Sequence, residues 1–474
     1  MNISKLLLAS FCLVTISLNA QYLQEYSKIW YFGENAGLSF NYSPPAALTD
    51  GALNNIEGCS CVGNQTRLFF YTNGINIWNR NHQIMPNGSG LLGHTSSSQC
   101  GLSVPVPSNF LQFYVFTTDA NENNLNNGLR YSIVDMQLDN GYGDVTSVKN
   151  KLLAPLVTEK ITVVPHANET DYWIIAHEWN SNRFLVYRLT SAGLDTVPVI
   201  SSIGFTYLPT APSSTGCVCG NAVGFIKASP NGNKIATVVH NSNTIEMYDF
   251  DRSTGTLSNL VSSSGIFNFP YGLEFSPNSR YLYMSTIYTY PSSKIYQFDL
   301  TQSDFFNHGT LLVNSSPKEF CALVLAPDKK IYIAEYSSQG EGYLSTIEDP
   351  DSLGINCNFT ESTFFLGGKK SKRGLPNMFY YNPYQSSVSN INIESNIKVF
   401  PNPAEAGKTI FLSGIEQRNA IIEIIDDAGR IVHSENISNQ RIEMEFILPN
   451  VNKGIYIIHV KQGKFEKSTE LYIK

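Results

Sequence analysis

The sequence predicts an all-β chain: a β-propeller of about seven blades followed by a small Ig-like β-sandwich. Three observations point there. Charged residues are only 15% of the 474 residues, against 26 Tyr and 27 Phe, a balance that favours strands over helices. The middle of the chain repeats a strand–turn–strand unit at a spacing of roughly 40–60 residues, the range of propeller blades. From Lys398 to the end, apolar and polar residues alternate with period two between turns, the pattern of antiparallel strands with a buried face.

In chain order, Met1 to Lys5 is a short basic start, Leu6 to Ile16 is apolar, and Ser17-Leu18-Asn19-Ala20 places small residues at the minus-three and minus-one positions. That is the pattern of a secretory signal peptide over 1–20, cleaved after Ala20. The run is too short for a stable transmembrane helix. Phe11 precedes Cys12 where a lipidated signal needs a small residue, so no lipid anchor is expected. No later stretch is long and apolar enough to span a bilayer.

Residues 21–386 carry the repeat. Gly224–Ala236, Gly272–Tyr283 and Ala322–Ile333 align as an apolar strand, a Pro-Asn or Pro-Asp turn, and a second apolar strand. Pro presets one backbone angle of such a turn and Asn or Asp tolerates the next. A third strand ends on an aromatic or aliphatic residue followed by a polar one. Tyr248-Asp249 and Phe298-Asp299 are the clearest, echoed by Trp78-Asn79, Val134-Asp135, Tyr187-Arg188 and Ile347-Glu348. Units begin near Glu57, Gln99, Glu159, Ala222, Pro270, Phe320 and Gly374. Ile29–Phe40 lacks a full blade, and so does Gly374–Tyr381. Joining them into one blade removes an exposed edge, so Trp30–Phe40 is expected to hydrogen-bond beside Gly374–Tyr381.

The Ser-Pro-Asn-Gly turn of this repeat resembles that of YVTN-like and lactonase-like propellers. With Phe69–Gly74, Trp78–Gly88 and Gly128–Ser132, the segment also resembles a largely uncharacterised propeller in exported proteins of gliding, Bacteroidetes-type bacteria. Residues 387–397 are polar, lack a core pattern, and read as a linker.

The tail, 398–474, opens with Val399-Phe400-Pro401-Asn402-Pro403. Ile421 to Ile425 run into a turn at Asp427-Ala428-Gly429, and Gly454–Val460 and Leu471–Lys474 close it. Ile455, Ile457 and His459 face opposite to Tyr456, Ile458 and Val460. Pro401 and Pro403 cannot donate to a ladder and suit an irregular entry. These segments, in this order, resemble the type A C-terminal sorting domain of the type IX secretion system. The resemblance implies passage through the periplasm and across the outer membrane, to the medium or the cell surface. It makes the secretion machinery a partner, with Pro401, Asn402, Pro403, Gly429, Gly454 and Lys474 as the sorting signal, and often implies removal of the tail and surface attachment.

Eight cysteines are present, and losing Cys12 with the signal leaves an odd number. Export permits disulfides. Cys59/Cys61 and Cys217/Cys219 are two apart and point the same way in a strand, while zinc sites usually put about two to four residues between ligands. Bridges, thiolate zinc and buried thiols all stay open, with bridges favoured by the compartment. His166, His177 and His240 could meet around a channel; the simpler reading hydrogen-bonds each within its own blade.

There is no Gly-x-Ser-x-Gly, His-Glu-x-x-His or phosphate loop, so no catalytic residue is named. A propeller site takes one residue per blade. Polar residues at the inner-strand starts, Glu57, Gln99, Glu159, Glu319 and Arg373, are the candidate ligand-binding set; solvated residues at a channel mouth are the other reading. A net charge of −7 disfavours a nucleic-acid partner. No cofactor or metal is expected. The reading is an exported, non-catalytic binding propeller, with an extracellular glycan or protein as partner. The alternative is a lactonase-like or other hydrolase with a metal or polar site at the channel mouth.

Overall fold

The computed structural model describes residues 26–64, 67–210, 219–288, 293–315, 318–378, 398–413, 419–426, 430–438, 443–462 and 465–474. The signal peptide, the linker, Cys12, Cys217, Tyr381 and Gly429 lie outside them. The chain forms two compact units, Met1–Ser386 and Ser387–Lys474. No described helix is long and apolar enough to cross a membrane.

Seven antiparallel sheets among the described residues follow one another in the first unit. In the last three blades each sheet is a plain four-stranded meander, beginning with Ile226–Ala228, Pro270–Phe275 and Glu319–Leu325. The three earlier ones begin with Ser60–Gly63, Gly101–Val106 and Val157–Pro165. Each of these innermost strands packs against the next, so the sheets are arranged as blades around an axis. This is the propeller that the repeat predicts.

The turns work as their residues require. Ser229 Oγ donates to Asn231 Oδ1 at 2.7 Å and accepts the Lys234 N–H at 3.0 Å. Ser276, Asn278 and Tyr281 repeat this one blade on, at 2.7 and 2.9 Å. The aromatic–polar pairs fall at or beside the end of the third strand in each blade, and their polar member has a recurrent job. Asp249 pairs with Lys234, Asp299 with Arg280 at 2.8 Å, Glu348 with Lys330, and Arg188 with Asp171 at 2.7 Å. Each clasps the third strand to the start of the second.

Ring closure departs from the expected pairing: among the described residues no backbone hydrogen bond joins 30–40 to 374–378. The strands Ile29–Phe32, Ala36–Ser39 and Ala46–Leu48 form their own sheet. Its direct link to the C-terminal end is Glu34, whose N–H donates to Lys370 O at 2.9 Å. Residues 373–377 instead bind the approach to the first full blade: Arg373 N–H and Gly374 N–H donate to Ile56 O at 2.8 and 3.1 Å, and Asn377 N–H to Cys59 O at 2.7 Å. On the other side, Ala322 N–H donates to Arg373 O at 3.0 Å. The returning segment thus fills the innermost place between the last blade and the first. Near the axis neighbouring backbones meet more closely than side chains allow. A Cβ on Gly374 would sit 1.8 Å from Glu57 O, so glycine is required there. Farther out the seam is aromatic: Trp30 and Phe40 pack on Tyr332 of the sixth blade at 5.8 and 5.5 Å.

The cysteine expectation needs correcting. Cys59, Cys61, Cys100, Cys321 and Cys357 are buried free thiols. Cys59 and Cys100 donate to Tyr31 O at 3.3 Å and Gly58 O at 2.6 Å. These cysteines act as small core residues with weak donors.

The second unit is a two-sheet sandwich. One sheet holds Lys398–Phe400, Thr409–Ser413 and Glu443–Ile447; the other orders Ile431–Ser438, Asn419–Ile425, Gly454–Gln462 and Phe465–Ile473. Ile422, Ile424, Tyr456, Ile458 and Val460 are buried, while Ile455 and Ile457 are exposed, as the alternation predicts. Asn402 Oδ1 accepts the Tyr472 N–H at 2.9 Å, and Lys474 N–H donates to Ala404 O at 3.0 Å. The Pro-Asn-Pro opening and the final strand are therefore one local structure.

Candidate functional site

All five sequence candidates lie at the end of the ring where the innermost strands begin, but they divide into two groups. Gln99 and Glu159 are internal. Gln99 Oε1 accepts N–H groups of Ile226 and Ile161 at 2.8 and 3.4 Å. Its Nε2 donates to Ile226 O and Asn377 Oδ1 at 3.2 and 3.1 Å. Asn377 in turn donates to Ile161 O at 3.1 Å. These buried amides join the second, third, fourth and closing blades across the axis, so the mouth is a cup floored by side chains. Glu159 accepts from Ser98 N–H and Oγ at 2.8 and 2.7 Å and from Asn121 N–H at 2.8 Å. Burial pushes its carboxyl up, against the pull of those donors.

Glu57, Glu319 and Arg373 converge. Arg373 Nη2 and Nε lie 3.0 and 3.2 Å from Glu319 Oε2, and Nη1 lies 3.9 Å from Glu57 Oε1. Nη1 also donates to Tyr288 OH. The guanidinium is flanked by the rings of Tyr288 and Tyr336, each centred 4.5 Å away. Burial opposes its charge, yet the Cys321, Tyr288, Glu57 and Glu319 groups around it hold its pKa above the ordinary value. Glu57 accepts a hydrogen bond from Tyr271 OH, reaching across to the fifth blade. Burial raises Glu57 to about 7, with Arg373 and Tyr271 pulling the other way.

Sequence reasoning missed the rest of the cup. Lys160, fully buried, donates to Ala222 O, Val223 O and Asn221 O at 2.6, 2.7 and 3.3 Å. Burial lowers its pKa to about 7 against the pull of Glu159 and Glu246. His240 Nδ1 lies 3.0 Å from Pro270 O, a contact with the next blade and not its own. Burial lowers His240 to about 4, so it is neutral at pH 7. His166 Nδ1 accepts the Asn168 N–H at 2.9 Å, and His177 Nδ1 lies 2.8 Å from Glu178 O. The three imidazoles do not converge; among the described residues no group of three metal-ligating side chains is placed to hold an ion. Tyr271 and Tyr288 carry no sequence signal, because their partners lie on other blades.

On the far side of the Asn377 amide lies a pocket lined by Cys61, Val62, Leu102, Val163 and Met378 among others. It holds no convergent charge, so the strand-start cup is the candidate site.

Residues 398–474 match the secretion system C-terminal sorting domain. No curated protein matches the chain. Among solved structures, the chain is similar to a protein from Lactobacillus plantarum, with a TM-score of 0.45 and 11% identity over 74% of this chain and 98% of that one. It is also similar to a candidate 6-phosphogluconolactonase from Bacteroides fragilis, with a TM-score of 0.44 and 9% identity over 73% and 96%. Another candidate 6-phosphogluconolactonase, from Bacteroides uniformis, gives 0.36 and 12% over 83% and 96%. These likenesses are too distant to bear on activity, and the fold rests on the blade topology above.

Proposed function

We infer that the tail, which matches a secretion system C-terminal sorting domain over 398–474, directs the chain to the cell surface or exterior with the secretion machinery as partner. Beyond that, we propose that the propeller is a non-catalytic binding module whose ligand, an extracellular glycan or protein, docks in the strand-start cup. Residues 1–20 would be its signal peptide and 387–397 the linker. The carrying observation is convergence: Glu57, Glu319 and Arg373 come from three blades to one guanidinium, with Tyr271 and Tyr288 beside it. A concave site with polar groups from several blades is what recognition needs. Gln99 belongs to the floor, and Glu159 is buried beside it, engaged by Ser98 and Asn121.

The test uses the purified mature chain against glycans and surface proteins of the producing cell. Glu319→Gln and Arg373→Lys should each weaken binding at least about tenfold, since the half-buried pair loses its charge match in the first and its two-point guanidinium contact in the second. Unchanged binding in both would refute the cup as the site. For export, deleting 398–474 should leave a folded propeller in the periplasm; its appearance in the medium of a secretion-competent host would contradict the address role.

A second reading has one observation in its favour. A carboxyl raised to about 7 by burial, as Glu57 is, is suited to general acid–base work. Lactone and ester turnover abolished by Glu57→Gln would favour the hydrolase. A purified chain with no turnover favours the binding module.

A further inference from the structure

We propose that Phe269 and Tyr288 form an aromatic shelf on which the cup stacks an uncharged sugar ring. This rests on the cup being the ligand site and specifies what it takes.

The first observation is backbone geometry. Phe269 has φ +49° and Tyr288 φ +56°, in the left-handed region that bulky side chains avoid. Most other non-glycine residues with positive φ here are Asn or Asp, which tolerate it. Strained residues persist only where their surroundings over-determine them, and both are held. Tyr288 N–H donates to Glu319 Oε1 at 3.1 Å. Phe269 N–H donates to Asn243 Oδ1 at 2.8 Å, and Phe269 O accepts the Ile287 N–H at 3.1 Å. The two rings flank the neutral His240 imidazole, at 5.4 and 5.6 Å.

The second observation is exposure. A strained aromatic could serve the core, but Tyr288 is 51% exposed and Phe269 is half-buried. The strain therefore presents apolar rings to solvent at the mouth.

Charge then selects the ligand. Arg373 lies against the Tyr288 ring, and its edges are engaged by Glu319 and the Tyr288 hydroxyl. Its charge is already matched, so an anion would have to displace a carboxylate. Glu319, ion-paired with Arg373, offers only acceptor oxygens, which suits hydroxyl donors. A flat apolar face next to acceptors fits a sugar's C–H face and its hydroxyls. It does not suit a phosphorylated or uronic sugar.

The experiment measures binding of the full mature chain to neutral hexasaccharides of glucose, xylose and mannose, with oligogalacturonate and 6-phosphogluconate as anionic probes. At least one neutral probe should bind. Tyr288→Asn and Phe269→Asn, which keep the left-handed backbone, should each weaken it at least about tenfold. Tyr288→Phe, which keeps the ring, should stay within about threefold, which controls for misfolding. A preference for either anionic probe, no binding to any neutral probe, or undiminished binding in both Asn variants would overturn the shelf. If the Asn variants bind normally while Glu319→Gln and Arg373→Lys do not, the cup stands as the site and only the shelf fails. If all four bind normally, the cup fails too.

Discussion

Gly374→Ala tests how the ring closes. The new Cβ would lie 1.8 Å from Glu57 O, 2.0 Å from Glu57 C and 2.5 Å from Gly58 N, all backbone atoms. No rotamer relieves this, so the two strands must separate by about 1.5 Å to reach ordinary contact. That separation breaks the Arg373 and Gly374 bonds to Ile56 O, at 2.8 and 3.1 Å. At about 1 kcal/mol each, plus about 1–3 kcal/mol of overpacking, the expected loss is about 3–5 kcal/mol. The loss of unfolded-state entropy offsets less than about 1 kcal/mol of this. Gly342→Ala is the control, since its Cβ meets nothing within 4 Å and its φ is ordinary. Urea unfolding, followed by intrinsic fluorescence and compared by midpoint at equal slope, reads the difference. If Gly374→Ala is as stable as Gly342→Ala, the returning segment does not sit beside the Glu57 backbone and the closure described here is wrong.

Other perturbations separate floor from site. In the folded chain Glu57 keeps its proton up to about pH 7, against an ordinary 4.5. Between these values the folded state binds more protons, so stability is full below about 4.5 and falls as pH rises through 7, by up to about 3 kcal/mol. Glu57→Gln should flatten that part of the pH–stability curve; an unchanged slope would mean Glu57 is solvated. Gln99→Ala leaves the Ile226 and Ile161 N–H groups without their acceptor across the axis. It should cost about 2–4 kcal/mol, measured by thermal unfolding, and a loss below about 1 kcal/mol would show water replacing the amide.

Some of this was legible locally. Turn chemistry at Pro230-Asn231 and Pro277-Asn278, alternation at Tyr456, Ile458 and Val460, and the aromatic–polar pairs each depend on neighbours within one blade or one hairpin. Short-range patterns therefore located the strands and gave the number of blades to about one. The candidate residues were found by position, as polar residues where inner strands begin, and that rule placed all five at one end of the ring.

What the amino-acid sequence by itself determined was the all-β class, the blade repeat and the sorting tail, because turns, periodicity and ordered motifs are properties of contiguous residues. Only the tertiary structure decided that Gln99 and Glu159 are internal while Glu57, Glu319 and Arg373 meet. It also decided that the closing segment binds Ile56 and Cys59, and that Cys59 and Cys100 are buried donors. Glu57 meets Tyr271 across 214 positions and Gln99 meets Asn377 across 278. Contacts at that separation are set by how the blades close on their axis, and no local pattern encodes which side chains will face each other there.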